Sequence, residues 1–155
     1  MAFHKEHTYR VGARWTGNLG DGTATYRGYS RNHEITATGK EAIAASSDPT
    51  FRGDSTRYNP EELLVASLSG CHLLWFLHKC VDAGVVLEEY DDEPVGTMTE
   101  DADGGGQFTS VVLRPRARFR GDVDHEALRA LHDASHALCF VSRSVNFPVR
   151  VEPRR

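Results

Sequence analysis

Residues 58–81 read YNPEELLVASLSGCHLLWFLHKCV and form the most distinctive stretch of the chain. The stretch opens like a helix. Asn59 is a capping residue, Pro60 fits the first helical position because its missing N–H has no partner there, and two glutamates suit the positive end of the helix dipole. Apolar side chains then fall on every face, which is typical of a buried helix. We therefore predict a buried central helix over residues 60–83. We interpret it as too short, and too interrupted by small and polar residues, to span a membrane.

Length and composition limit the class of protein. The chain has 155 residues, which is the size of one domain with a real hydrophobic core. Its formal net charge is −4 and 26% of its residues are charged, so we expect no nucleic-acid partner and no anionic membrane surface as a partner. The N-terminus lacks a signal-peptide pattern, so we expect a cytoplasmic protein. Three cysteines do not make a disulfide scaffold, and in a reducing compartment they are expected to be free, catalytic or metal-bound.

The remaining elements predict an α+β fold in a single domain over residues 1–155. Residues 7–38 predict three N-terminal strands, at 7–16, 23–29 and 33–38, which are antiparallel because their connections are too short for crossover helices. Residues 39–58 carry no clear pattern. Residues 85–119 predict a hairpin that turns at 101–106, and its Pro115 favours an edge position or a bulge. A helix over 124–138, capped by Asp124, precedes a second-cysteine segment and a final strand within 139–152.

The three cysteines differ in what they can reach. Cys71 and Cys80 lie nine residues apart, on opposite faces of the predicted helix and roughly 13 Å apart along its axis, which is beyond disulfide reach. We interpret Cys80 as a core residue. Cys139 follows a helix whose apolar face is expected to pack on the central helix, so it can meet either of the others. Small residues around Cys71 leave room for a reactive thiol, although a free cysteine is most often simply buried.

A metal site is an alternative use of the histidines. His132 and His136 lie at i, i+4 on the second helix, but they need a cysteine beside them to complete a site, and His72 and His78 are the other candidates. No CxxC or second HxxxH pair stands at zinc spacing. We therefore predict no metal, and we interpret His72 as a packing or hydrogen-bonding residue rather than a catalytic base.

Two long motifs each contain a cysteine. The first is NPEELLVASLSGCH at 59–72, and the second, 68 residues after the first cysteine, is HALCFVSRS at 136–144. In this order and at this separation they resemble the OsmC/Ohr family of peroxiredoxin-like organic hydroperoxide reductases, and the resemblance covers nearly the whole chain. It implies antiparallel sheets wrapped around buried central helices in an interlocked homodimer, with active sites at the dimer interface. The family typically has proline after its second cysteine, where this chain has Phe140.

The resemblance also implies the site residues. Cys71 is the peroxidatic thiol, which attacks the O–O bond and becomes a sulfenic acid. Cys139 is the resolving thiol, which condenses with it to a disulfide. No bound cofactor is implied. An external thiol or dithiol, of the lipoamide type in the family, reduces the disulfide. In the family an arginine, held by a glutamate, lowers the pKa of the first cysteine. Glu61 matches that glutamate, and the candidate arginines, in order of preference, are Arg52, Arg57, Arg14 and Arg27.

These expectations combine into a cytoplasmic, homodimeric thiol peroxidase that reduces organic hydroperoxides in preference to hydrogen peroxide. The expected substrate pocket is apolar, formed by Leu68, Leu74, Trp75 and Phe140. Glu61 and Cys71 are roughly 15 Å apart along a continuous helix, so each site is expected to draw on both chains. The alternative is a non-enzymatic binder of a hydrophobic ligand that has kept this fold and lost peroxidase activity.

Overall fold

The computed structural model describes residues 4–155 and has an α+β fold with antiparallel sheets and two α-helices. The chain divides into two compact units, Met1–Leu63 and Leu64–Arg155. In the first unit, three short strands form an antiparallel sheet in the order β1-β2-β3. The strands are β1 (Gly12–Trp15), β2 (His33–Thr36) and β3 (Ile43–Ala45), followed by a 3-10 turn at Pro49–Phe51.

The predicted strand at 23–29 is wrong. That segment closes local turns, in which the N–H of Ala24 donates to Asp21 and the N–H of Gly28 donates to Thr25, so these N–H groups are not available for a ladder. The third strand of the sheet is instead β3, which pairs with β2 and lies in the segment without a clear sequence pattern. The first strand is also shorter than predicted, because its partner β2 offers only four residues for pairing.

The central helix α1 spans Pro60–Asp82. A capping box begins it: the Glu62 carboxylate accepts from the Asn59 N–H at 3.1 Å, and the Asn59 side chain accepts from the Glu62 N–H at 2.8 Å. Gly84, with φ of 69°, follows its end. The start of the helix is therefore as predicted, and its end lies one residue earlier.

Burial along α1 differs from the prediction of a helix covered on all faces. One stripe at a spacing of four is buried, formed by Leu68, His72, Phe76 and Cys80. By length and composition alone, the 23 residues of α1 also suffice to cross a membrane, with a mean hydropathy of 1.3 over the most apolar window. The sequence argument that the stretch is too short was therefore wrong. The core helix of a soluble protein can have the same length and composition.

The second unit contains two sheets. β4 (Val86–Asp92) pairs with β7 (Pro115–Arg120), and β5 (Val95–Glu100) pairs with β6 (Gly106–Leu113), which is joined in parallel by β8 (Val149–Val151). The predicted hairpin thus forms, but it is divided between the sheets near Pro94 and Arg114. Asp92 stabilises the hairpin at the point where it passes from one sheet to the other. Its carboxylate accepts hydrogen bonds from the Arg114 N–H and from the Ser69 hydroxyl, both at 2.6 Å.

The second helix, α2, spans His125–Leu138 and is capped by Asp124, whose carboxylate accepts from the Ala127 N–H at 2.7 Å. Two clusters cover the buried stripe of α1. Leu68 packs with residues of β6 and β8, while Phe76 and Cys80 pack with Leu131 of α2. The stripe therefore fixes both the sheet and α2 against the part of α1 that carries Cys71.

Candidate active site

Two thiols lie side by side in the second unit. Cys71 is half-buried in the middle of α1, and Cys139, 1% exposed, is the residue at which α2 ends. The Cys139 side chain lies beside the Cys71 thiol, and both are free thiols. Cys80 packs with Phe76 and Leu131 in the core. Of the two cysteine pairs that the sequence left open, the structure therefore brings together Cys71 and Cys139.

The segment after Cys139 turns its backbone toward both sulfur atoms. Burial raises the pKa of the Cys71 thiol, and the neighbouring Cys139 raises it further, while backbone N–H groups of Val141 and Phe140 act in the opposite direction. The next N–H group, of Ser142, donates to Cys139 Sγ at 3.5 Å. Within the described residues of the second unit, no arginine or lysine lowers the pKa of Cys71. In this unit, backbone dipoles alone favour the thiolate.

A cavity of about 320 Å³ opens on the Cys71 thiol. Its lining is largely apolar and consists of Cys71, Leu74, Trp75, His78 and Phe140. The ring of Trp75 meets those of His78 and Phe140 edge-on, at centroid distances of 5.7 and 5.6 Å. The cavity is thus lined by aromatic rings and contains the Cys71 thiol and the His78 imidazole.

The lining of this cavity differs at two residues from the pocket predicted from the sequence. Leu68 does not line it, because Leu68 belongs to the buried stripe of α1 and packs against Val111 and Leu113. His78 lines it although the sequence analysis did not place it there. The signal was present, since seven residues are two helical turns and put Cys71 and His78 on one face.

The Met1–Leu63 unit holds the predicted glutamate. Glu61, in the first turn of α1, lines a different cavity of about 320 Å³ whose walls include Trp15 and Tyr29. Arg31 lines the same cavity, with its guanidinium 4.0 Å from the centre of the Tyr29 ring and its Nη1 donating to the Tyr29 carbonyl at 2.8 Å. An arginine and the motif glutamate therefore share one aromatic cavity, and that arginine was not among the sequence candidates.

Arg52, the preferred arginine from sequence, is not part of this cavity. It is exposed, takes a left-handed conformation with φ of 64°, and ends the 3-10 turn at Pro49–Phe51. Two of the other candidates are engaged elsewhere in the same unit: Arg14 forms a 2.8 Å ion pair with Glu34, and Arg57 lies 3.9 Å from Asp54. Arg27 is exposed in the turn before β2. Arg31 shares the cavity with Glu61 although the two are 30 residues apart, because the cavity is assembled from segments far apart in sequence.

A buried pair of imidazoles adjoins the thiols. His72 Nε2 lies 3.0 Å from His132 Nδ1, the two rings are stacked, and Phe76 stacks on His132 at 4.4 Å. Burial lowers the pKa of His72 to about 3 and that of His132 to about 4, so both rings are neutral near pH 7. Among residues 4–155, no set of three His, Cys, Asp or Glu side chains is arranged to hold a metal ion. The pair fills the core and exchanges one hydrogen bond.

Comparison with known proteins places this geometry in a family. No curated protein sequence shows significant similarity to the chain. A solved structure of an OsmC-like protein of unknown function from Vibrio cholerae is 30% identical, with a TM-score of 0.86, and the match covers 96% of this chain and 100% of that one.

Two more distant structures share the fold. An organic hydroperoxide resistance protein from Elizabethkingia anophelis is 19% identical, with a TM-score of 0.71 and coverage of 97% of this chain and 99% of that one. The organic hydroperoxide resistance protein OhrB of Bacillus subtilis is 22% identical, with a TM-score of 0.68 and coverage of 96% and 98%. The family described as OsmC-like protein matches residues 53–154, a range that includes both cysteine motifs. The chain therefore belongs to the OsmC-like protein family.

Proposed function

We propose that this protein is a thiol peroxidase that reduces organic hydroperoxides to alcohols. The observation that carries the proposal is the contact between the Cys71 and Cys139 thiols beneath an apolar cavity. Two proteins of the same fold, from E. anophelis and B. subtilis, are named organic hydroperoxide resistance proteins. The family thus supports a peroxiredoxin-like role, and the paired thiols supply the chemistry for it.

The reaction consumes one peroxide and two thiols. The Cys71 thiolate attacks the terminal oxygen of ROOH, the O–O bond breaks, and RO⁻ takes up a proton and leaves as the alcohol. Cys71 is then a sulfenic acid. Cys139 attacks its sulfur, the S–O bond breaks, and water leaves as the disulfide forms. An external dithiol of the lipoamide type returns both cysteines to thiols, which suits a reducing, cytoplasmic compartment.

Activation of Cys71 needs more positive charge than its own unit provides. The two backbone N–H groups oppose burial, yet the pKa of the thiol stays raised. We assign the missing charge to Arg31, with Glu61 as its positioning carboxylate, because the two line one cavity. This assignment replaces Arg52. It combines with the expectation that each site draws on both chains, so that the partner's Arg31 serves Cys71.

A homodimer accounts for the uncovered face of α1. Leu74, Leu77 and Val81 are 67%, 42% and 78% exposed and lie at i, i+3 and i+7, on one side of the helix. An apolar stripe of this kind on an isolated chain marks an interaction surface. A second copy of the chain would cover it and also enclose the cavity beside Cys71, which fits a substrate with an apolar body better than hydrogen peroxide.

The test is steady-state peroxide reduction with a dithiol reductant. We expect wild type to reduce cumene hydroperoxide faster than hydrogen peroxide, Cys71→Ser to be inactive, and Cys80→Ser, as the matched control, to retain activity. Thiol titration after one equivalent of cumene hydroperoxide should show two thiols lost per chain, and peptide mapping should show a bridge between Cys71 and Cys139.

The second candidate function is a non-enzymatic binder of a hydrophobic ligand in the same cavity. The raised pKa of Cys71 favours it, because a protonated thiol is a poor nucleophile. Unchanged thiol counts after peroxide treatment, together with protection of Cys71 from alkylation by a bound apolar ligand, would establish this function instead.

A further inference from the structure

A third cavity, of about 550 Å³, lies in the Leu64–Arg155 unit and shares no lining residue with the cavity beside Cys71. It lies where α2 meets the segment after β8. Three arginines line it, Arg129, Arg154 and Arg155, together with two histidines, His125 and His132. A cavity of this size accommodates a small molecule rather than a few solvent molecules.

The charges around the cavity are not balanced. Arg154 is neutralised outside it, because its guanidinium contacts Asp91 and lies 3.0 Å from Glu93. Arg129 has no ion-pair partner within 4.0 Å among residues 4–155. Asp133 is the acidic side chain of a lining that also contains the guanidinium groups of Arg129 and Arg155. The side chains of the lining therefore carry a net positive charge, which favours an anion.

His132 adds a directed donor. It is 2% exposed, lines the cavity, and uses Nδ1 for His72, so Nε2 is left for a ligand. Two tautomers satisfy the 3.0 Å contact. If His132 donates, His72 keeps a proton on Nδ1, an atom that is buried without a partner among the described residues. If His72 donates, Nδ1 carries only a lone pair. Because an orphaned buried N–H is the rarer and costlier defect, we assign the proton to His132 Nε2.

The rest of the lining is apolar. Leu128 of α2 and Val151 of β8 form part of the wall, so a ligand has hydrocarbon surface to contact as well as charge. An inorganic anion would leave that surface uncovered, and a neutral hydrocarbon would leave Arg129 and the imidazole N–H without an acceptor.

We propose that this cavity is a binding site for a small organic anion, in which a carboxylate or phosphate group meets Arg129 and His132 Nε2–H and an apolar body packs on Leu128 and Val151. The site is separate from the peroxide chemistry. Both head groups present oxygen acceptors to a guanidinium, and the two are distinguished by experiment.

The test compares four probes by isothermal titration calorimetry: hexanoate, hexyl phosphate, inorganic phosphate and 1-hexanol. We expect one of the two amphiphilic anions to bind at least about tenfold tighter than inorganic phosphate and 1-hexanol, and the tighter anion identifies the head group. Arg129→Gln should weaken that binding about tenfold or more, whereas Arg143→Gln, an exposed arginine outside the cavity, should not change it. The same two variants have equal net charge.

A second readout follows the imidazole itself. In long-range ¹H–¹⁵N spectra, His132 should carry its proton on Nε2, and the bound anion should shift that resonance while the signal of His78 stays in place. Equal weakening by Arg129→Gln and Arg143→Gln, no binding of either amphiphile at millimolar concentration, or a proton on His132 Nδ1 would each overturn the proposal.

Discussion

In the reaction proposed above, the region around Cys71 and the cavity around Glu61 hold different halves of the chemistry. The first has two thiols and backbone N–H groups, and no arginine or lysine of its described unit acts on the nucleophile. The second has a guanidinium and a carboxylate in an aromatic cavity whose described lining contains no thiol. Under the proposed function, neither region is a complete peroxidase site. Activity should then depend on combining the two, and each half can be altered separately.

The largest expected effect concerns the buried imidazoles beside the thiols. The pKa values of His72 and His132, about 3 and about 4, lie below the value of about 6.5 for a histidine in an unfolded chain. Between these values the unfolded chain binds protons that the folded chain does not. The free energy of unfolding should therefore be fully maintained above pH 6.5 and should fall as the pH drops toward 4. At about 1.4 kcal/mol per pKa unit, the fall amounts to several kcal/mol.

Urea unfolding at a series of pH values measures this fall. The double variant His72→Leu with His132→Phe should show a much flatter profile between pH 6.5 and 4. Phe76→Leu, which removes the ring stacked on His132 but keeps both imidazoles, should lower stability at every pH and preserve the slope. A slope that is the same in the double variant and in wild type would show that other groups are responsible.

The next effect tests how the two halves combine. A cation beside a thiol lowers its pKa by about one to three units, so Arg31→Gln should reduce kcat/KM for cumene hydroperoxide by roughly tenfold to a thousandfold at neutral pH. Arg52→Gln, at an exposed turn, should leave the value within about twofold. The pH at which activity is half-maximal should rise in Arg31→Gln, which a general loss of folding would not produce.

Mixing variants shows whether the halves come from different chains. If the partner's Arg31 serves Cys71, a mixed dimer of Arg31→Gln and Cys71→Ser contains one intact site. An equal mixture that has exchanged subunits should then recover about a quarter of wild-type activity, since half of its dimers are mixed and each has one of two sites. Activity that stays at the level of the separate variants would place Arg31 and Cys71 of one chain in the same site, or exclude Arg31 altogether.

The two regions also differ in how much of their structure could be predicted from the sequence. The start of α1 was predictable because a capping box is a local signal, with Asn59 and Glu62 three residues apart. The cysteine pair was predictable because two long motifs carry it. The buried face of α1 was not predictable, because apolar residues lie on every side of the helix. Tertiary packing selects the buried face, through the clusters around Leu68 and Phe76. Arg31, the arginine of our proposal, was not a candidate from sequence for a related reason: its cavity draws on segments from Trp15 to Glu61, and no short pattern marks it.

The smallest effect concerns the backbone beside Cys71, at the position where the family typically has proline. Phe140 has an N–H group, and that group is one of the two that lower the pKa of the thiol. Proline has none. Phe140→Pro should therefore raise the pKa of Cys71 and slow its alkylation by iodoacetamide at neutral pH by about threefold to tenfold, because a neutral donor contributes about 0.5–1.5 kcal/mol.

Phe140→Ala is the matched control, because it removes the ring from the cavity and keeps the N–H. It should raise the KM for an aromatic hydroperoxide and leave the rate of Cys71 alkylation unchanged. The conformation is permissive, since Cys139 has φ of −64° and ψ of 110°, the extended geometry that a residue before proline adopts. If both variants alter alkylation equally, the ring and not the N–H sets the reactivity of Cys71. If neither variant changes the rate of alkylation, the N–H group of residue 140 does not set the reactivity of Cys71. The positive charge of Arg31 would then be what activates the thiol.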